Sequence, residues 1–308
     1  MATRKNSMKD LVIIGSGPAA LSAAVYAARE EIGVTVYEKT ILGGLVATID
    51  HIDNYPGFPD GVKGSELVER MQQQAERFGA NIEYGEVTAI KLAPAGSVSV
   101  TVDDEEVKAR AVLVTSGWTY NTMDIPGEAD YKNRGVHYCA TCDGPFYKDK
   151  KIVVVGGGNS AAQEAVFLTR FASSVEILAR STFKASAVLQ KKVREHGIKV
   201  YESTKALEVL GDGKRATNLK IEGPSGASEL PVDGIFVFVG IHPAGEFAAE
   251  SGLKLDEQGY IKTDLNFQTN LPGVFAAGDI RSGSTKQVVT AAGEGAAAAK
   301  AVGRYLAE

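Results

Sequence analysis

The chain has 308 residues, of which 44% are hydrophobic and 23% charged, with a net charge of -5. That length allows two domains, and the composition is that of an ordinary soluble globular protein. The acidic balance excludes a nucleic-acid footprint and a basic membrane-binding face, and no apolar run approaches the ~20 residues of a membrane span. The polar start MATRKNSMKD runs straight into a strand, so it reads as neither a secretory signal nor a targeting leader, and a cytoplasmic location is expected.

The first element predicted is a buried strand, Leu11-Val12-Ile13-Ile14, followed by the turn Gly15-Ser16-Gly17-Pro18-Ala19-Ala20 and a helix from Leu21 to Arg29. A second strand, Val34 to Tyr37, ends at Glu38. Gly15 permits the tight turn, Gly17 lets the backbone approach a pyrophosphate, and Ala20 is small enough for close helix–strand packing. The helix N-terminus favours the phosphate charge, and Glu38 is placed to accept hydrogen bonds from an adenosine ribose. The competing reading is a glycine-rich turn without a ligand. Residues 82–114 read as strands: Ser97 to Val102 alternates, and Ala111 to Val114 is a buried run.

The same unit recurs at Ile152 to Val155, then Gly156-Gly157-Gly158-Asn159-Ser160-Ala161, then a helix through about Arg170. Its second strand, Val175 to Leu178, ends in Ala179-Arg180 with Lys184 just beyond, instead of an acid. Missing acid and nearby cations suit a nucleotide 2′-phosphate; alternatively Arg180 and Lys184 are solvated surface charges. A third buried strand, Val274 to Ala277, ends in Gly278-Asp279, and Asp279 is suited to a polyhydroxyl chain. Lys286-Gln287-Val288-Val289 then leads into an Ala/Gly-rich helix from about Thr290 to Leu306. The fold class expected is α/β: two Rossmann-like, FAD/NAD(P)-binding, three-layer domains. Two such units imply two nucleotides and hydride chemistry, with a flavin between a two-electron donor and a disulfide.

The only cysteines are Cys139 and Cys142, spaced Cys-Ala-Thr-Cys and followed by Asp143. A secreted disulfide scaffold carries more cysteines at wider spacing. A close pair at a turn or helix start, where the helix field stabilises a thiolate, points to redox chemistry, and Asp143 is placed to move a proton on and off a leaving thiol. Three other readings remain: half a zinc site, to which His137 adds a third ligand (His51, His196 and His242 lie elsewhere); two inert buried thiols; or a structural disulfide.

These residues resemble the low-molecular-weight thioredoxin reductases of bacteria, archaea and plants. The motifs that carry the resemblance are CATCDGPFY at 139–147, GSGPAA at 15–20, DNYPGFPDGVKGSELVERM at 53–71, IPGE at 125–128, GGGNSAAQEA at 156–165 and PGVFAAGD at 272–279. The resemblance implies an FAD domain built from residues 1–122 and 245–308. It implies an inserted NADPH domain on 123–244 that carries the disulfide next to the flavin, and a domain rotation that exposes the reduced pair to thioredoxin. Crossover strands are expected at IPGE and at Ile241-His242-Pro243. The resemblance also implies that Cys142 takes the flavin-side position, that Cys139 attacks thioredoxin and that Asp143 is the acid–base group. Gly44, Asn54, Asp279, Gln287 and Val288 match positions touching FAD, together with Gly15, Gly17, Pro18, Ala19, Glu38 and Gly278; Gly156, Gly158, Asn159, Ser160, Arg180 and Lys184 match the NADP site. A homodimer is expected.

The sequence departs from the family where the second nucleotide binds. The usual His-Arg-Arg-x-x-x-Arg is here Ala179-Arg180-Ser181-Thr182-Phe183-Lys184, about one residue shorter. Gln163-Glu164 replaces the usual Glu-Glu, Gly43-Gly44-Leu45 the usual Gly-Gly-Gln, and Thr115-Ser116-Gly117 the usual Ala-Thr-Gly, followed by the atypical Trp118 and Tyr120. Three readings of function therefore stand side by side: an NADPH-dependent thioredoxin reductase, the same disulfide reductase fed by NADH or a ferredoxin-type protein, and a non-turnover flavoprotein redox sensor.

Overall fold

The computed structural model describes residues 8–49, 52 and 54–308, apart from the side chains at 95, 141 and 142. His51 and Asp53, the first residue of the 53–71 motif, lie outside the described residues. Two compact units are formed, one by Met1–Thr119 with His242–Glu308 and the other by Tyr120–Ile241.

The first unit begins with β1 (Lys9–Ile14), α1 (Pro18–Arg29) and β2 (Val34–Glu38). Then come α2 (Gly64–Arg77), β3 (Asn81–Tyr84), β4 (Val87–Leu92), β5 (Val98–Val102), β6 (Glu105–Val114) and β7 (Trp118–Tyr120). Strand order is β3-β2-β1-β6-β5-β4. Within this one sheet the ten-residue β6 pairs antiparallel with β5 over Glu105–Ala109 and in parallel with β1 from Ala109 to Val114. β1 is central because both its faces are apolar. Leu11 and Ile13 pack against the alanines of α1, while Val12 and Ile14 pack under the β4–β5 hairpin. Each such fully buried side chain contributes about 1.5–3 kcal/mol.

The inserted unit runs through β8 (Val136–His137), α3 (Ala140–Asp143), β9 (Lys151–Val155), α4 (Asn159–Leu168), β10 (Ser174–Leu178), α5 (Ala187–Glu195) and β11 (Lys199–Tyr201). It continues through β12 (Lys205–Gly211), β13 (Ala216–Gly223), β14 (Gly226–Pro231) and β15 (Gly234–Val237). A five-stranded parallel sheet, β11-β10-β9-β15-β8, is covered by α3, α4 and α5 on one face and by the antiparallel β12-β13-β14 sheet on the other. Alternation again sorts the core: Ile152 and Val154 meet the helices, Val153 and Val155 meet the hairpin layer.

The chain returns through β16 (Ile241–Pro243) and α6 (Glu246–Glu250) to β17 (Val274–Ala276), which pairs with Val112–Val114, and α7 (Val288–Ala307). α7 crosses α1 closely because a side chain at Gly295 would place its Cβ 2.0 Å from the Ala19 carbonyl oxygen. Each unit is therefore three layers deep: helices, a parallel sheet and an antiparallel layer. The crossover strands are β7 and β16, which form a two-stranded sheet. The IPGE segment is not one of them. Its Glu128 is buried and accepts the amide hydrogens of Met123 and Asp124 at 2.8 Å each, closing a turn. No helix among the described residues is long and apolar enough to cross a membrane.

Candidate functional site

In the first unit the β1–α1 turn builds a groove. Gly15 sits at φ +91, a conformation L side chains rarely adopt, and a Cβ there would meet the Thr115 carbonyl oxygen at 2.9 Å. Gly17 is the N-cap of α1, ahead of Pro18 and Ala19. A Cβ on Gly17 would meet nothing within 4 Å, and one on Gly44 would face the Gly17 Cα at 3.7 Å. Two backbone stretches thus flank a space free of side chains, above the first amides of a twelve-residue helix. A pyrophosphate fits such a groove.

Glu38 ends β2 and is 7% exposed. Its Oε2 accepts the Ser16 amide at 2.9 Å and the Ser16 hydroxyl at 2.7 Å; its Oε1 accepts the Thr40 amide at 2.9 Å and the Thr40 hydroxyl at 3.4 Å. A carboxylate offers about four lone-pair sites. The two hydroxyl bonds, unlike the two amide bonds, use positions on Glu38 that a ribose diol would also reach. Ser16 Oγ also accepts the Gly43 amide at 3.0 Å, so one serine ties the turn, the acid and the Gly43-Gly44 loop together.

Asp279 follows β17 in the turn that Gly278 opens. Glu294 of α7 holds this turn, accepting the Gly278 amide at 2.8 Å and pairing with Arg281 through Nε at 3.0 Å and Nη2 at 2.5 Å. The indole of Trp118 donates to Asp279 Oδ2 at 3.1 Å, and Ser284 donates to Oδ1 at 3.3 Å. Burial raises the Asp279 carboxyl above the usual carboxylate range, against the opposing effect of these two hydrogen bonds. Asn54 Nδ2 donates to Gln287 Oε1 at 3.0 Å, joining two expected site residues 233 positions apart, and Val288 starts α7 directly behind them.

In the inserted unit Gly156, Gly157 and Gly158 form the second turn, with Gly158 the N-cap of α4 and open space where its Cβ would be. Asn159 Oδ1 accepts the Ser186 amide at 2.8 Å, and the Gly157 carbonyl accepts the Lys184 amide at 2.7 Å, which lays the 179–186 loop over the turn. Ser160, Arg180 and Lys184 are exposed. The same loop binds an acid: the Phe183 amide donates to Glu202 Oε1 at 2.6 Å. On α4, burial pushes the Glu164 carboxyl up to about 7.

Cys139 precedes α3 and is disulfide-bonded; the side chain of Cys142 is outside the described residues. α3 is a single turn of four residues, too short to supply the helix field expected at the pair. Asp143 ends it, its amide donating to the Cys139 carbonyl at 3.1 Å. Beside it lies His137, 5% exposed, with Nδ1 3.0 Å from Asp143 Oδ2 and Nε2 2.7 Å from the Tyr147 hydroxyl. No group of three or more His, Cys, Asp or Glu among the described residues is placed to hold a metal ion.

A family described as pyridine nucleotide-disulphide oxidoreductase matches residues 9–295. The chain is 38% identical over 303 residues to a thioredoxin reductase of Listeria innocua, covering 97% of this chain and 94% of that one. It is 41% identical over 307 residues to a thioredoxin reductase of Mycolicibacterium smegmatis, covering 98% of each. Among solved structures, Lactococcus lactis thioredoxin reductase in its FR conformation matches with TM-score 0.88 and 36% identity, over 97% of this chain and 99% of that one. T. acidophilum thioredoxin reductase matches with TM-score 0.85 and 36% identity, over 95% and 97%.

The chain belongs to the thioredoxin reductase family. Sequence reasoning missed the roles of five residues that hold the site together. Ser16 is the variable position of the first glycine turn, and only its contacts reveal it as the Glu38 clamp. Glu294 and Arg281 are separated by 13 residues and show no motif. Glu202 lies outside every motif that marks the family. Trp118 stood out as atypical, yet its bond to Asp279 spans 161 positions and has no local sequence signal.

Proposed function

We propose that this chain is a thioredoxin reductase that passes electrons from a reduced donor through FAD to the Cys139–Cys142 disulfide and on to thioredoxin. The observation that carries the reading is the disulfide-bonded Cys139 beside Asp143, on a chain matched almost end to end by thioredoxin reductases. In this proposal the first unit is the FAD domain. Gly15, Gly17, Pro18, Ala19 and Gly44 border the pyrophosphate, Glu38 meets the adenosine ribose, and Asn54, Gly278, Asp279, Gln287 and Val288 face the flavin half. When bound, FAD supplies a two-electron store between donor and disulfide.

The chain's own groups do the rest. Two electrons and two protons reduce the disulfide, leaving a Cys142 thiol on the flavin side, a Cys139 thiolate facing thioredoxin and a protonated Asp143. The Cys139 thiolate attacks one sulfur of the thioredoxin disulfide, that S–S bond breaks, and the departing sulfur takes a proton from the Asp143 carboxyl. Cys142, giving its proton to the Asp143 carboxylate, attacks Cys139 in the mixed disulfide. The second thioredoxin sulfur departs and takes that proton back from Asp143, reduced thioredoxin leaves, and the Cys139–Cys142 bond re-forms. A homodimer and a cytoplasmic location complete the proposal.

The donor has two readings. NADPH is favoured by the open Gly156–Gly158 turn with Asn159 and Ser160 at the start of α4. NADH or a ferredoxin-type protein is favoured by the exposed Arg180 and Lys184, which share their loop with the acid Glu202. Anaerobic mixing of the purified yellow protein with NADPH, NADH or reduced ferredoxin, followed by thioredoxin, tests all of this. Flavin bleaching by one donor and reoxidation by thioredoxin is the expected result. A folded protein that cannot be reconstituted with FAD, or a reduced flavin indifferent to thioredoxin, overturns it.

A further inference from the structure

We propose that His137 is a positioning residue for Asp143: its Nδ1, 3.0 Å from Asp143 Oδ2, orients the carboxylate and stabilises the charged form left after a proton passes to a departing sulfur. This rests on the reading of Asp143 as the acid–base group. His-x-Cys-x-x-Cys read in sequence as an incomplete zinc set, and the structure gives the histidine different neighbours.

The ring is fixed from every side. His137 ends β8, registered on Phe236 of β15. Its ring stacks on Phe236 with centroids 5.2 Å apart and meets Tyr147 edge-on, also at 5.2 Å. The Tyr147 hydroxyl lies 2.7 Å from Nε2. Burial first, then the charges of Asp143 and Asp233 against the opposing Arg215, push the Tyr147 phenol up to about 12, so it keeps its hydrogen near neutrality. A phenol donating to Nε2 leaves the neutral ring's hydrogen on Nδ1, and Nδ1 lies 3.0 Å from Asp143 Oδ2. The contact is short but poorly aligned, since no well-directed hydrogen bond to Nδ1 forms.

The titratable groups facing this cluster are Cys139 and Asp143 from the chain that follows β8, and Tyr147 from the next turn. Asp233 ahead of β15 and Arg215 ahead of β13 act on Tyr147. Glu128 and Lys132 engage the neighbouring Tyr138 instead. The arrangement parallels base–orienter pairs in general acid–base sites, in which a third group fixes the tautomer of an imidazole.

Two amide substitutions separate the ring's two nitrogens. In His137→Asn the amide nitrogen replaces Nδ1 and still reaches Asp143. In His137→Gln the amide replaces Nε2, keeps Tyr147 satisfied and loses Asp143. The readouts are the pH profile of kcat/KM for thioredoxin in the flavin-loaded enzyme and the pH dependence of iodoacetamide alkylation after dithiothreitol reduction. Losing one charge-assisted hydrogen bond moves the Asp143-dependent limb upward by roughly one to two pH units in His137→Gln, while His137→Asn stays close to the parent. If the glutamine variant does not fold, His137→Phe keeps the stack on Phe236 and carries the same expected shift. Unmoved profiles, or a downward shift, overturn the proposal; the latter would mean that Nδ1 accepts a hydrogen from the carboxyl. Asp143→Asn is the control. If it leaves turnover intact, the underlying reading of Asp143 fails, whereas a crippled Asp143→Asn with an unshifted His137→Gln condemns only the role given to His137.

Discussion

Replacing Glu202 by glutamine removes one negative charge beside the second glycine turn while keeping an oxygen to accept the Phe183 amide hydrogen, now at 2.6 Å. The loop geometry therefore survives and only the charge changes. In the proposed NADPH site a 2′-phosphate on this loop would have Arg180 and Lys184 for partners, both exposed. Unit charges about 8 Å apart at an effective dielectric constant of about 40 repel by about 1 kcal/mol; a nearly dianionic phosphate doubles this and salt screening roughly halves it again. About 1 kcal/mol corresponds to about fivefold in affinity. Glu202→Gln is thus expected to tighten NADPH binding about fivefold and to leave NADH, which has no phosphate there, unchanged. In the parent, two missing charge-assisted contacts of about 1.5 kcal/mol or more each weaken NADPH by about a hundredfold compared with a complete arginine set. The assay is anaerobic stopped-flow bleaching of the flavin over a concentration series of each nucleotide, at low and at 0.5 M salt. Equal tightening of NADH, or a parent enzyme that already binds NADPH tightly and rejects NADH strongly, refutes the reasoning and means that cations elsewhere complete the site.

Cys139→Ser and Cys142→Ser should each abolish thioredoxin reduction, because one sulfur attacks and the other resolves the mixed disulfide; wild-type turnover in either removes the pair from the active centre. Trp118 is the only tryptophan of the chain and bonds to Asp279, so FAD added to apoprotein should quench most of the tryptophan emission, and Trp118→Phe should weaken FAD binding by about ten- to a hundredfold, the worth of one hydrogen bond to a carboxylate. Emission that does not respond to FAD places the flavin elsewhere. Burial raises the Glu164 carboxyl to about 7. Its stabilising effect is thus complete below its unfolded value near 4.5 and is lost as pH climbs through about 7. Denaturant midpoints should fall between pH 5 and pH 8, by up to about 2 kcal/mol in unfolding free energy, and Glu164→Gln should flatten that slope.

The two strand–turn–helix–strand units were legible because each couples an unbroken apolar run to glycines that only a tight turn explains. β1, β9 and β10 are buried on both faces, so they leave a strong sequence signal. β14 does not: Gly226–Pro231 is solvent-facing almost throughout and looks like loop in sequence. The misplaced crossover has a similar cause. IPGE is a memorable motif, but its glutamate caps a turn, while the true strand Trp118–Tyr120 is three residues long and carries no period. The site was legible where a backbone demand fixes residue type, as at Gly15 and Gly17. It was illegible where side chains meet across long separations, as between Asn54 and Gln287 or between Trp118 and Asp279.

The close crossing of α1 by α7 has a consequence for synthesis. The inserted unit is one continuous segment with apolar cores on both faces of its own sheet, so all its parts have been synthesised by residue 241. The surrounding unit waits for β17 to pair with β6 and for α7 to cover α1. Until the last twenty residues emerge, Ala20, Ala23, Ala24 and Ala27 of the first helix lack the helix that buries them. The nascent chain thus completes its middle before its beginning, and a premature stop ahead of Val288 releases an intact inserted unit attached to an open, aggregation-prone remainder.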